Sequence, residues 1–444
     1  MWVGPQDDPV ASIAVLADDL TSAGDGAAPF RRAGHRAKVL LTIAESDAAT
    51  EGGAGAGAGA QGGAGTGGGA GTEGAGADGG AGTDVGSGGW DALEAGGSAA
   101  PEGVVAVDLG SRLLDEWAAV TRTERAARAF ATAELLVKTV DSTLRGHVAA
   151  EIRAALTGSG RRAVVVAPAF PAEGRTTIRG IQHVQGVPVH DTEFARDPAH
   201  PVRCSDLARL LPEAEHLEPD QFEKLPELIG QGGVFVCSAA TDGELDLLVS
   251  SAPRARDVLW VGSPGLAAAL ARHHARTPKA RGPELPRARR PLVVVGSANP
   301  ATRRQLDLLR TRAEVAAVAV ADDPTAAVHA VRRASAPVLV LHTPDERRTP
   351  SGSLTADLAH AVRESVVAGA VDGLVLTGGE TAVAVLEALG TEGIDLVDEP
   401  EPGVARGVLL SAPHLPVLIK AGGFGDEGTL DRLRRLLMEG GPVS

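Results

Sequence analysis

Short, unbroken apolar runs recur along this chain, separated by stretches whose apolar residues fall at helical spacing. Ser12–Ala17, Val39–Ile43, Val104–Leu109, Leu135–Val140 and Ala163–Ala167 are such runs, with the helical pattern at Ala23–Arg32, Ala118–Phe130 and Val148–Leu156. A strand that is apolar at every position must be covered on both faces, and alternation with helices supplies that cover over a parallel sheet. A second series of runs follows at Val234–Cys237, Val258–Val261, Leu292–Val295, Val315–Val320, Val338–His342, Gly373–Leu376 and Pro416–Ile419. Within it, Arg276–Arg290 (RTPKARGPELPRARR) has no apolar periodicity and is the expected domain boundary. The pattern predicts an α/β protein: two α/β domains with mainly parallel sheets, over 10–275 and 291–440, joined by a linker at 276–290. A chain of 444 residues is long enough to give each domain a core.

Residues 51–100 interrupt the alternation. They hold 22 of the 57 glycines, six acidic residues and no basic one. Such a stretch buries too little apolar surface to offset its ordering entropy, so a disordered loop between two strands of the first domain is expected. A phosphate-binding loop is not, because no strand or helix frames it.

The charge balance, 42 basic against 57 acidic residues for a net −15, argues against a general nucleic-acid binder but leaves small anions open as ligands. Cys204 and Cys237 show no CxxC or CxxH spacing, which excludes a disulfide scaffold and a cysteine-rich zinc site and suits a reducing cytoplasm. Met1–Pro9 carries two Asp and no basic residue, unlike a signal peptide. No apolar run approaches the roughly 18–20 residues of a membrane span. A cytoplasmic protein with neither nucleic acid nor membrane as partner is expected.

In an open α/β sheet, ligands sit where strands end and helices begin. The first such loop reads Ala17-Asp18-Asp19-Leu20-Thr21-Ser22-Ala23-Gly24-Asp25. Its carboxylates fit a general base or hydroxyl-binding cluster in contact with Mg²⁺, or a helix N-cap in a solvated loop. The next runs from Lys138 through Asp141, Ser142, Thr143 and Arg145 to His147. A lysine inside an apolar strand needs a counter-charge, for which Asp141 or the Asp18/Asp19 pair are at hand. Arg145 offers a planar fork for a carboxylate or phosphate, or a member of an internal ion-pair network. In a third loop, Pro168–Thr177, Arg175 suits either an anion or a surface salt bridge.

The second half differs. Gly296-Ser297-Ala298-Asn299, Thr377-Gly378-Gly379-Glu380-Thr381 and Lys420-Ala421-Gly422-Gly423-Phe424-Gly425 each join a strand to a helical pattern. Such junctions leave backbone N–H groups free at helix starts, where phosphates bind. Gly423–Gly428 matches GxGxxG, but the residues after it contain no second strand with an acidic residue about 20 positions on, as a dinucleotide site requires. That weakens an NAD-dependent dehydrogenase reading. No Walker A sequence and no metal-binding histidine spacing occur.

At these stretches the chain resembles the four-carbon acid sugar kinase family. The matching segments are ADDLTSAGD (17–25), KTVDSTLRGHVAAEI (138–152), APAFPAEGRTTIRGIQHVQGVPVHDTEFARDP (167–198), GSANPATRRQ (296–305), LTGGETAVAVLEALG (376–390), EPGVARG (401–407) and KAGGFGDEGTL (420–430). The resemblance implies an N-terminal acid-sugar-binding domain, a C-terminal nucleotide-binding domain, an active-site cleft between them, and ATP-dependent phosphorylation of a tetronate with Mg²⁺. DSTLRG and GRTT look more like the D-threonate or D-erythronate kinases than the 3-oxo-tetronate kinases. Carried over, nucleotide contacts fall on Ser297, Gly378, Gly379, Glu380, Thr381 and Gly422. The acid-sugar side draws on Asp18, Asp19, Asp25, Lys138, Asp141, Ser142, Thr143, Arg145 and Arg175. In this picture Asp18 or Asp19 deprotonates the attacking hydroxyl, Lys138 neutralises the transferred group, Arg145 or Arg175 holds the carboxylate, and closure of the cleft excludes water. A homodimer is allowed, and a non-catalytic sugar-acid sensor is the rival reading. Ser22, Gly24 and Ala421 depart from the family's usual Gly, Asn and Ser.

Overall fold

The computed structural model describes residues 12–42, 103–197, 200–252, 254–276, 285–320, 324–344, 351–411 and 413–440, without the side chains of 351–353. The glycine-rich stretch 51–100 and most of the expected linker lie outside the described residues. The expected alternation is present, but the strands of both halves join one 15-stranded sheet. From one edge it runs Val315–Ala319, Val338–His342, Pro291–Val295, Gly373–Thr377, Pro416–Lys420, Val404–Leu409 and Gly393–Asp398. It continues through Ala37–Leu41, Gly103–Asp108, Ser12–Ala17, Leu135–Thr139, Val258–Gly262, Ala163–Ala167, Gly233–Cys237 and Glu215–Leu217.

Neighbouring strands are parallel except around Gly393–Asp398 and Val404–Leu409. Gly393–Leu396 pairs antiparallel with Ala37–Leu40, so ladder hydrogen bonds join the two halves. Helix Leu20–Arg32 reinforces the junction: a Cβ at Gly24 would stand 2.9 Å from the Ala405 Cβ, so glycine is what admits this approach. The loop expected from Pro168 to Thr177 also gives rise to a small antiparallel sheet, Arg175–Ile178, Ile181–Val184 and Val187–Pro188.

Topology fixes where a ligand fits. The helix leaving Ser12–Ala17 buries Ala23, Ala27 and Phe30 on one face of the sheet. The helices leaving Gly103–Asp108 and Leu135–Thr139 bury Ala126, Ala127, Ile152 and Ala155 on the other. Adjacent strands whose chains depart to opposite faces open a crevice at their carboxyl ends.

Candidate active site

That crevice is a cleft of about 590 Å³ lined by both halves of the chain. From the first half Asp19, Asp25, Asp141, Ser142, Thr143, Arg145 and Arg175 line it; from the second, Ser297, Gly379 and Gly422 do. Asp18, Lys138 and Thr381 are buried and not part of this lining, nor is the half-buried Gly378 or the exposed Glu380.

The acidic pair is organised by a residue that sequence reasoning missed, Arg112. Its Nε donates to Asp18 Oδ2 at 2.9 Å, its Nη1 to Asp19 Oδ2, and its Nη2 to Ser22 Oγ at 3.3 Å. Asp19 is also the N-cap of helix Leu20–Arg32, accepting the Ser22 N–H at 2.7 Å, so the N-cap reading of this loop holds at a residue that lines the cleft. Burial pushes both carboxyls up. In Asp19, Arg112 and the Ser22 N–H outweigh burial and the group ends below its usual range. Asp18 ends above it despite Arg112, and its Oδ1 is buried with no hydrogen-bond partner among the described residues. Burial, then Glu399 and Asp19, push Asp25 well above the carboxylate range. The signal for Arg112 was available in principle, since it follows the end of a strand, Gly103–Asp108, that borders the crevice.

Asp108 ends that strand, 3% exposed, with Oδ1 accepting the Gly110 N–H at 2.7 Å. Burial raises its carboxyl to about 7 from 3.8. A carboxyl raised on folding contributes stability that is fully present below its unfolded pKa and lost as pH rises through the folded one. Asp108→Asn, which keeps the acceptor for Gly110, is expected to unfold at higher urea than the parent at pH 8, by on the order of 3 kcal/mol. The gap should narrow as pH falls towards 4. A gap independent of pH would refute the assignment.

On the cleft's other wall, Asp141 accepts from Thr143 Oγ1 at 2.7 Å and from Arg145 Nε. Burial pushes Asp141 up, but Arg145 and Arg112 hold it well below the usual carboxylate range. The Arg145 guanidinium lies 5.4 Å from the centre of the Phe194 ring. Arg175 donates to the Glu173 carbonyl and has a buried Nε with no hydrogen-bond partner among the described residues. Lys138 requires a correction. Its Nζ is 2.7 Å from Glu151 Oε2, not paired with Asp141, Asp18 or Asp19, and both side chains are almost wholly buried.

In the second half, the three expected junctions converge on Ser297. A Cβ at Gly422 would stand 2.7 Å from Ser297 Oγ, and one at Gly378 (φ +89°) would stand 3.4 Å from Ser297 Cβ. Thr21 Cγ2, at the start of the first helix, lies 3.9 Å from the Cβ position of Gly379, so two helix N-termini face each other across the cleft. The N–H groups of Gly422 and Gly423 have no acceptor among the described residues. Carboxylates clamped by arginine thus face glycine turns with free N–H groups, an arrangement that can hold a hydroxylated anion against a polyphosphate.

Residues 85–270 match the sugar-binding N-terminal domain model and 292–430 the nucleotide-binding C-terminal domain model. The chain is 34% identical to the D-threonate kinase of Salmonella typhimurium over 67% of its length and 79% of that protein's. It is 35% identical to the D-threonate kinase of Bordetella bronchiseptica over 96% of its length and 98% of that protein's. The chain belongs to the four-carbon acid sugar kinase family. A solved Salmonella typhimurium structure described as a putative tRNA synthase shares its fold (TM-score 0.71, 21% identity, 95% of this chain and 98% of that one). No helix among the described residues is long and apolar enough to cross a membrane.

The departures from the family pattern have structural counterparts here. Ser22 supplies a hydroxyl to Arg112, Gly24 admits Ala405, and Ala421 donates its N–H to the Gly403 carbonyl at 2.9 Å.

Proposed function

We propose that this chain is an ATP-dependent kinase for a four-carbon sugar acid of the D-threonate or D-erythronate type. One observation carries the reading: a single cleft holds the Asp19–Arg112 and Asp141–Arg145 pairs opposite Ser297, Gly379 and Gly422. The relatives named as D-threonate kinases support the acid sugar as substrate, and the nucleotide-binding model supports ATP.

Phosphoryl transfer asks the protein for alignment and charge neutralisation more than covalent chemistry. Gly422, Gly423 and Ser297 hold the ATP phosphates. Arg145 and Arg175 hold the acid's carboxylate. Asp19 orients the attacking hydroxyl and takes its proton late, a role that its low basicity permits in a loose transition state. Asp18 holds Arg112 from behind. Lys138, neutralised by Glu151 and absent from the lining, has no part in this scheme. Magnesium typically binds through one or two carboxylates and the substrate's phosphates, and the cleft carboxylates Asp19 and Asp25 fit that need. Bound there, it would neutralise phosphate charge. Because the sheet runs through both halves, alignment is built in before the substrates arrive.

ADP release with Mg·ATP against D- and L-threonate, D- and L-erythronate and 3-oxo-tetronates tests this. Turnover should depend on one of the first four acids. Asp19→Asn, which keeps the helix cap, should lower kcat at least about 100-fold. ATP binding without turnover on any acid would instead indicate a sensor, and unchanged kcat in Asp19→Asn would remove Asp19 from the chemistry.

A further inference from the structure

Each half of the sheet carries a lysine, fully buried, at or near the carboxyl end of a strand: Lys138 and Lys420, both 0% exposed. Lys138 has a carboxylate at 2.7 Å. Lys420 has none within ion-pair distance among the described residues, and hydrogen bonds only to neutral oxygens, the Ala421 carbonyl at 2.8 Å and Thr302 Oγ1 at 3.4 Å. A buried cation without a counter-ion is costly, and such groups cluster where a ligand supplies the missing charge.

The residues around it share a task. Thr302 Oγ1 donates to the Gly422 carbonyl at 2.6 Å, and Gln305 Nε2 donates to the Phe424 carbonyl at 3.0 Å. Together with Lys420 on Ala421, three side chains that are at most 1% exposed draw three carbonyls of the 421–424 turn inward. Among the described residues, the N–H groups of Gly422 and Gly423, in that same turn, have no acceptor where the turn lines the cleft.

We propose that Lys420, with Thr302 and Gln305, is a positioning device that aims this turn's N–H groups and a buried positive charge at the polyphosphate of the nucleotide; the inference rests on the kinase reading above. The bound anion is the counter-ion that the interior omits. Lys420 is not a catalytic residue in this account, since it acts through the turn and its field.

Two consequences follow from the charge. Burial lowers the Lys420 ammonium to about 8, with Glu401 opposing. The elements packed around Lys420 carry other charges, but these are engaged elsewhere. Arg406 pairs with Asp398, Arg303 bonds Thr343, Asp431 pairs with Arg434, and Arg432 pairs with Glu401. Anion affinity should therefore be full below pH 8 and fall as pH rises above it, until the bound-state pKa is passed. Secondly, Lys420→Met removes an uncompensated charge, so it should not lower the melting temperature.

The experiment is calorimetric titration of the full chain with ATP and, separately, with inorganic tripolyphosphate, from pH 7 to 9.5. Lys420→Met is expected to bind both at least about tenfold more weakly at pH 7, as for a lost charge-assisted contact. It should also lose the fall in affinity above pH 8 that the parent shows. Thr302→Val should weaken both ligands while keeping that fall. The parent's own profile needs no variant, so a Lys420→Met protein that failed to fold would not remove the test. Equal affinity in parent and Lys420→Met, or a parent profile flat from pH 7 to 9.5, overturns the inference alone. A parent that binds neither ligand overturns the kinase reading and this inference together. Lys420-dependent binding of both ligands without phosphorylation of any acid would uphold the inference and sink the kinase reading.

Discussion

Arg112→Ala should cost about 3 kcal/mol of stability at pH 8 and at least about 100-fold in kcat/KM. The guanidinium is the shared counter-charge of Asp18 and Asp19, bonded to both, and its side chain is only 17% exposed. Without it, two neighbouring carboxylates remain in a site where burial already raises both. The pH dependence separates this from a generic packing loss. In the parent, Asp19 is held below its usual range, so its contribution is present above the unfolded pKa and lost as pH falls. In the variant the largest opposition to burial is gone, leaving only the Ser22 and Thr21 hydrogen bonds on Asp19 and the Lys138 charge near Asp18, so both carboxyls rise and stability returns as they protonate. The gap between the two proteins should be widest at pH 8 and narrow towards pH 4. Arg112→Lys should fall between, because one ammonium cannot reproduce a fork spanning two carboxylates. Urea unfolding of the three proteins at pH 4, 6 and 8 decides it, and a constant gap would show that Arg112 matters through packing alone.

How much of this site the sequence disclosed depended on whether a residue's partner was near it in the chain. Most strands were legible because they are uniformly apolar, and the loops at their ends located Asp19, Asp141, Arg145, Ser297 and Gly422 in one cleft. Arg112 was not found, because its partners lie across the glycine-rich stretch. Only the pairing of Ser12–Ala17 with Gly103–Asp108 brings their ends together. The strands Gly393–Asp398 and Val404–Leu409, which join the halves, also escaped notice. Asp395, Asp398 and Arg406 interrupt their apolar character, and Arg406 is buried there because Asp398 grips it at both Nε and Nη2. One sheet in place of two follows from those two strands.

Lys138 shows a different failure, since closeness in sequence suggested Asp141 as its partner. Side chains alternate along a strand, and Lys138 falls on the face of Leu136. Leu136 packs in the same cluster as Val148 and Ile152, so that face is covered by helix Val148–Ser159, which carries Glu151 in its first turn. Parity along the strand pointed to the helix, whereas the loop residues lie beyond its end.

The same pair yields the second large effect. Glu151→Gln should destabilise the protein by about 3–5 kcal/mol, because it leaves the Lys138 ammonium buried without its partner at 2.7 Å. Lys138→Met alone should cost a similar amount through the stranded carboxylate. The double variant Lys138→Met/Glu151→Leu should recover most of that loss, since replacing both members of a buried pair with apolar residues is often neutral. Turnover then distinguishes a structural pair from a catalytic lysine. Lys138 lowers and Glu151 raises the pKa of Asp18, so removing both leaves little net change in the field there. A double variant that folds and keeps kcat within about tenfold of the parent would confine Lys138 to holding the strand against its helix. One that folds but loses kcat would return Lys138 to the chemistry. Additive single losses with no recovery in the double would mean that the two groups do not act as a pair.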